Sequence, residues 1–150
     1  MFVVQKDNGI VPTILTQILD RCVNGVTLSD PDLPDEPIVY ANKAFEQMTG
    51  YAQDEIVGRN CRFLQKEDRD QPARQILRAA LEKHEPVEVT LRNYRKNGEL
   101  FYNRLTVSPL RCPKGNVMYY LGVQYDVTQM VKAEEEIGRL GERLKLLEGA

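Results

Sequence analysis

The chain has 150 residues, 20 Lys and Arg against 22 Asp and Glu, a formal net charge of -2 and 42% apolar residues. That is one domain with a real core and a short appendage, with no room for a second catalytic domain, and a near-neutral balance gives no field to draw in nucleic acid or an anionic membrane. The opening Met1-Phe2-Val3-Val4-Gln5-Lys6-Asp7 lacks the basic start and long apolar middle of a secretory signal, and no apolar run reaches the length of a membrane span, so the chain reads as cytoplasmic.

Ile14, Leu15, Ile18, Leu19 and Cys22 share one helical face after Pro12-Thr13, either of which can start the helix. This short amphipathic helix precedes the main body, and its stripe must cover either this domain or a partner. Val26-Thr27-Leu28-Ser29 alternates apolar and hydroxyl side chains, and Pro37-Ile38-Val39-Tyr40-Ala41 is rich in β-formers. Residues 30–35, with two prolines and three aspartates, form a turn-rich connection between these two strands. Asn42 caps a helix that carries Ala44, Phe45 and Met48 and ends near Gly50, and Asp54-Glu55-Ile56 makes a further short turn.

That turn delivers the chain to Gly58-Arg59-Asn60-Cys61-Arg62-Phe63-Leu64-Gln65, a thiol between an amide and a guanidinium with a second amide beyond. Polar company on both sides favours a reactive cysteine, because it can stabilise a thiolate or a polar ligand. The same residues also read as a helix start in which Asn60 caps the turn and Cys61 fills space. The eight residues resemble the signature of light-oxygen-voltage (LOV) domains, the flavin-binding blue-light sensors of the PAS superfamily, and in particular the short bacterial members. The resemblance implies an α+β PAS fold: a five-stranded antiparallel sheet with helices on one face, flanked by a short N-terminal helix and a C-terminal helix of coiled-coil type. It implies FMN as cofactor, Cys61 as the thiol that bonds to the flavin C4a carbon after light absorption, Asn60 and Gln65 as flavin hydrogen-bonding residues, and Arg62 as a phosphate ligand. Thr27 and Ser29 would line the pocket edge.

Pro72 suits the first turn of a helix running to about Lys83, with Ile76, Leu77, Ala80 and Leu81 as its stripe. Arg74 and Arg78 are four apart and share a face. With Arg62 and Arg69 they put four guanidiniums within 17 residues, a set that could clamp one phosphate group bidentately. The other reading is a solvated face neutralised by Glu67, Asp68 and Asp70. By the resemblance, Arg62 and Arg78 are the family's usual phosphate ligands, while Arg69 and Arg74 are similar to the extra arginines of short bacterial members.

Val87 to Tyr94 alternates, Lys96-Asn97-Gly98-Glu99 is a hairpin turn, Leu100 to Leu110 alternates again, and Val117 to Tyr125 is the last of five strands, after the Lys114-Gly115-Asn116 turn. Asn93, Asn103 and Gln124 stand out on them. An amide carries donors and an acceptor together, the complement of a flavin pyrimidine edge, although each residue also reads as an ordinary surface position of a strand. Asn-Tyr-x-Lys-x-Gly, Phe-Tyr-Asn and Gly-Val-Gln resemble the family segments that carry its two ring-binding asparagines and its switching glutamine. Leu105 and Val107 would be apolar ring contacts.

Asp126-Val127-Thr128 resembles the common PAS ending. Beyond it Met130, Ala133, Ile137, Leu140, Leu144 and Leu147 alternate steps of three and four, an a/d seam flanked by Glu134, Glu136, Arg143 and Glu148. Such a seam on a helix past the core calls for a homodimeric coil; the alternative is a helix folded back on its own sheet. Gly138 and Gly141 weaken the helix, each by about 1 kcal/mol relative to alanine. The expected layout is an N-terminal extension at 1–23, a core at 24–128 and a terminal helix at 129–150.

Two further features bound the function. Cys22, Cys61 and Cys112 are an odd number without CxxC spacing, which suggests free thiols and neither a disulfide framework nor a zinc site. The single histidine, in Glu82-Lys83-His84-Glu85-Pro86, reads as a solvated helix end, so a thiol enzyme using Cys61 lacks a base. The reading is a non-enzymatic photoreceptor module, with light-driven change at Cys61 passed through Gln124 and the last strand to a dimerising helix. The alternative is a PAS module that binds flavin without photochemistry and serves redox sensing or dimerisation.

Overall fold

The computed structural model describes residues 10–149. Helix α1 (Ile10–Asp20) leads into strands β1 (Gly25–Ser29) and β2 (Ile38–Ala41), followed by the short helices α2 (Lys43–Thr49) and α3 (Gln53–Ile56) and a 3-10 turn (Cys61–Gln65). Then come helix α4 (Pro72–Glu82), strands β3 (Val87–Tyr94), β4 (Leu100–Arg111) and β5 (Val117–Asp126), and helix α5 (Thr128–Glu148). The five strands form one antiparallel sheet in the order β2-β1-β5-β4-β3. First and last strands are thus neighbours at its centre, with Gly25 opposite Gln124. The helix leading into β1 and the helix leaving β5 both attach to the middle of the sheet.

The predicted punctuation acts as physical chemistry requires. Asn42 accepts the Phe45 N–H at 3.1 Å and caps α2. Gly98 and Gly115, both at φ 91°, turn the β3–β4 and β4–β5 hairpins in the left-handed region. Helix α1 begins at Ile10, ahead of the expected Pro12, which therefore falls in the first turn, where its missing N–H has no partner to lose.

Helices α2 to α4 cover one face of the sheet, and the core on that face is split in two. One part gathers Ile38, Ala41, Phe45, Ile56 and Leu64. The other joins Val89, Leu91, Leu105, Val107 and Tyr120 of the sheet to Ala73, Leu77 and Leu81. Ile76, expected on the same stripe, is 57% exposed because the inward face of α4 follows the 73, 77, 81 row. On the opposite face of the sheet Leu28, Tyr40 and Tyr119 form a smaller cluster against which Leu19 of α1 packs. The rest of the predicted α1 stripe, Ile14, Leu15 and Ile18, points away from the domain.

Helix α5 is anchored only at its start. Asp126 Oδ1 accepts the Thr128 N–H at 3.0 Å, Thr128 Oγ1 accepts the Tyr102 N–H at 3.0 Å, and Arg95 pairs with Asp126 at 2.8 Å. Beyond that turn its seam is open, with Ile137 69% and Leu147 73% exposed, so the helix does not fold back on its own sheet. No helix among the described residues is long and apolar enough to cross a membrane.

Candidate functional site: a thiol-lined cavity between sheet and helices

The segment carrying Cys61 is tied to the sheet before the thiol is reached. The Gly58 N–H donates to the Ile38 carbonyl, and the Ile38 N–H donates to that of Arg59, both at 2.8 Å. Asn60 then starts the 3-10 turn: its side-chain oxygen accepts the Arg62 N–H at 3.0 Å, and its NH2 donates to the Asp35 carbonyl at 2.8 Å. Its amide caps the turn as the capping reading had it, and Asn60 also lines the cavity beside Cys61, with a second N–H and a second lone pair left for a ligand.

Cys61 packs against the Ile38–Phe45–Ile56–Leu64 cluster on one side and lines a cavity of about 640 Å³ on the other, a volume within the range of small-molecule sites. Burial pushes its thiol pKa up, with Arg62 opposing, so the thiol is protonated at neutral pH. Of the two roles read for its polar neighbours this disfavours the stabilised thiolate and leaves the polar ligand, because apolar packing outweighs the neighbouring guanidinium. His84 Nδ1 lies 2.7 Å from the Tyr120 hydroxyl, with the two rings stacked. His84 is exposed at the helix end as read from sequence, but it also borders the cavity.

The sheet supplies the cavity floor. Register places Leu105 opposite Gln124 and Leu91 opposite Asn103, with Asn93 two residues further along β3. Asn93, Asn103 and Gln124 are therefore buried side by side, each 2% exposed, and the surface reading of these amides fails. Asn103 donates to Asn93 Oδ1 at 3.0 Å, Asn93 to the Arg92 carbonyl at 3.0 Å, and Gln124 reaches Thr27 Oγ1 at a long 3.4 Å. Thr27 is buried in the lining itself, and Ser29, Leu105 and Val107 also line the cavity.

Among the described residues three buried side-chain polar atoms have no hydrogen-bond partner, and two of them, Gln65 Oε1 and Asn103 Oδ1, belong to cavity-lining residues. An unpaired buried acceptor costs about 1–3 kcal/mol. The third, Arg104 Nε, belongs to a guanidinium lying 5.3 Å over the Tyr125 ring. At Gly122 an added Cβ would come within 2.6 Å of Thr27 Oγ1 and 3.3 Å of Gln124 Nε2, so only a bare backbone fits. A group whose edge alternates a donor with acceptors fits such a floor of amides, and the residues present match a flavin ring.

At the mouth, Arg62, Arg74 and Arg78 line the cavity, whereas Arg69 does not. Arg69 is exposed, its Nε donates to the Lys66 carbonyl at 2.5 Å, and its own carbonyl accepts from Arg74. Arg62 pairs with Asp35, a partner that sequence reading had assigned only to a turn. Asp68, expected to neutralise the cluster, instead binds Arg92 of β3 at 2.7 and 2.8 Å and the Tyr94 hydroxyl at 2.7 Å, which holds its carboxyl down at about 2. Twenty-four residues separate Asp68 from Arg92, so no local pattern announces the pair.

The model of the PAS domain matches residues 23–129. A blue-light-activated histidine kinase of Brucella anthropi is 43% identical over 113 residues, covering 73% of this chain and 23% of the kinase. The chain spans 23% or less of the length of the first curated relatives it matches. Among solved structures, an RNA-binding light-oxygen-voltage receptor superposes with a TM-score of 0.82 at 38% identity, over 93% of this chain and 39% of the receptor. A light-oxygen-voltage domain studied with a flavin analogue gives 0.73 at 42% identity, over 86% of this chain and 96% of that one. With this fold, this cavity and these relatives, the chain belongs to the PAS domain family and, within it, to the light-oxygen-voltage domains.

Proposed function

We propose that the chain is the blue-light-sensing module of a signalling protein, with FMN held non-covalently in the dark between sheet and helices. The observation that carries this reading is the Cys61 thiol lining one cavity with a floor of buried amides, where Asn103 Oδ1 and Gln65 Oε1 have no partner. When bound, the flavin supplies blue-light absorption and an electrophilic ring carbon, C4a, to which the Cys61 sulfur bonds reversibly while the thiol proton passes to the adjacent ring nitrogen, N5. Asn93 and Asn103 hold the polar edge of the ring, Leu105 and Val107 its face, Gln65 a further polar group, and Arg62, Arg74 and Arg78 the phosphate. Arg69, outside the lining, serves by holding Arg74 through its carbonyl.

Gln124 carries the signal outward. An amide can present either NH2 or oxygen, so when its ring neighbour gains a proton Gln124 rotates to offer oxygen. It then changes its long contact with Thr27, one strand away. Two residues on, Asp126 fixes the first turn of α5, so a shift of β5 reaches a helix whose open seam pairs with a second copy. Core 24–128, extension 1–23 and output helix 129–150 are the working parts of this scheme.

One spectrum tests the first half. The purified protein should be yellow and bleach reversibly under blue light, and Cys61→Ala should stay yellow; a colourless protein that takes up no supplied flavin ends the proposal. For the second half, Gln124→Leu should bleach normally yet lose the light-induced change in dimer size or helix signal; an undiminished change rules out this route.

A further inference from the structure

Resting on the flavin reading above, we propose that Asp35 sets how strongly the cavity mouth selects a flavin ending in phosphate over one ending in a hydroxyl. Three guanidiniums, of Arg62, Arg74 and Arg78, line the mouth, but three carboxylates, of Asp35, Glu36 and Glu82, line it too. A phosphate entering therefore meets no net positive charge while every carboxylate stays in place. Of the three arginines Arg62 is the one in an ion pair, with Asp35. Arg74 is held on a backbone carbonyl, and Arg78 has no partner among the described residues.

Asp35 is set in that position deliberately. It and Glu36 are consecutive L-residues in the left-handed region, at φ 65° and 47°, a conformation that persists only where neighbours hold it. The neighbours are the two residues flanking the thiol: Asn60 donates to the Asp35 carbonyl at 2.8 Å, and Arg62 pairs with its carboxylate. The pair is open to solvent, the side chains 42% and 61% exposed, so the guanidinium can turn from carboxylate to phosphate at little cost. Asp35 thus acts on the phosphate through Arg62, as a positioning and competing group rather than a ligand.

The test measures dissociation constants of FMN and riboflavin on the full chain, at low and high salt, for the native protein, Asp35→Asn, Arg62→Gln and the double variant. Asp35→Asn should raise the preference for FMN about fivefold at low salt, less at high salt. Riboflavin affinity should stay level, and the gain should vanish in the Arg62→Gln background. An unchanged or lowered preference in Asp35→Asn, a gain that survives without Arg62, or loss of both flavins would overturn the assignment, the last by showing that Asp35 serves only the fold. A native protein that binds riboflavin and FMN equally would overturn it while leaving the flavin reading standing; one that binds neither flavin would remove both.

Discussion

The floor and the mouth of the cavity handle polarity in opposite ways. At the floor Asn93, Asn103 and Gln124 are buried; Asn103 donates to Asn93 and Gln124 reaches Thr27, leaving Asn103 Oδ1 without a partner. At the mouth Arg62 and Asp35 are exposed and paired. A buried amide cannot compensate a wrong ligand with water, so on the proposed reading the floor would dictate which ring edge is accepted; an exposed guanidinium can trade partners, so the mouth would only grade what hangs outside. On the proposed flavin reading, recognition by hydrogen bonds would sit on strands, and recognition by charge on a loop and a helix surface.

The sharpest way to break this contrast is to make the floor apolar. Asn93→Leu with Asn103→Leu removes both members of the buried pair, so the flavin-free protein should keep its melting temperature or gain a few degrees. Flavin binding should meanwhile weaken by about 3 kcal/mol, roughly a hundredfold. Calorimetry and titration together check this; a flavin-free variant that melts much lower would mean that the amides serve the fold. The mouth should respond more gently. Arg78→Ala is expected to weaken FMN binding about tenfold at low salt, with riboflavin unaffected and the loss shrinking as salt rises.

The smallest effect sharpens the contrast by locating an arginine that is not free to trade. The carboxyl of Asp68, held at about 2 by Arg92 and then Tyr94, has a lower pKa in the folded than in the unfolded chain. Its contribution to stability is therefore present above the unfolded value of about 3.9 and disappears as pH falls toward 2. Acid unfolding of Asp68→Asn, followed by circular dichroism, should lack the part of the stability loss that the native protein shows across that window. Indistinguishable acid profiles would remove the distinction between this pair and the exposed one at the mouth.

Much of this was legible in the residues. Alternation located three of the five strands, β-rich runs between turns the other two, and the caps and glycines marked the turns, because those signals are local. The eight residues around Cys61 pointed to the site through a resemblance that spacing alone could not supply. What failed was what depends on three dimensions. Ile76 fits a helical stripe yet faces solvent, since the neighbouring sheet decides which row of α4 turns inward. The pKa of Cys61 follows the Ile38–Phe45–Ile56–Leu64 cluster and not its polar sequence neighbours. Asp35 looked like turn punctuation, and its partner lies 27 positions on.

The divided interior described above has a consequence for the life of the protein in a cell. Leu64 of one apolar group and Leu91, Leu105 and Val107 of the other line the same cavity of about 640 Å³, so a group bound there would touch both halves of the core. On the proposed flavin reading, a ligand that binds the folded chain and not the unfolded one would stabilise it by mass action, and its supply would bear on how much chain escapes proteolysis. Vitamin supply would then regulate the level of the sensor before any photon does.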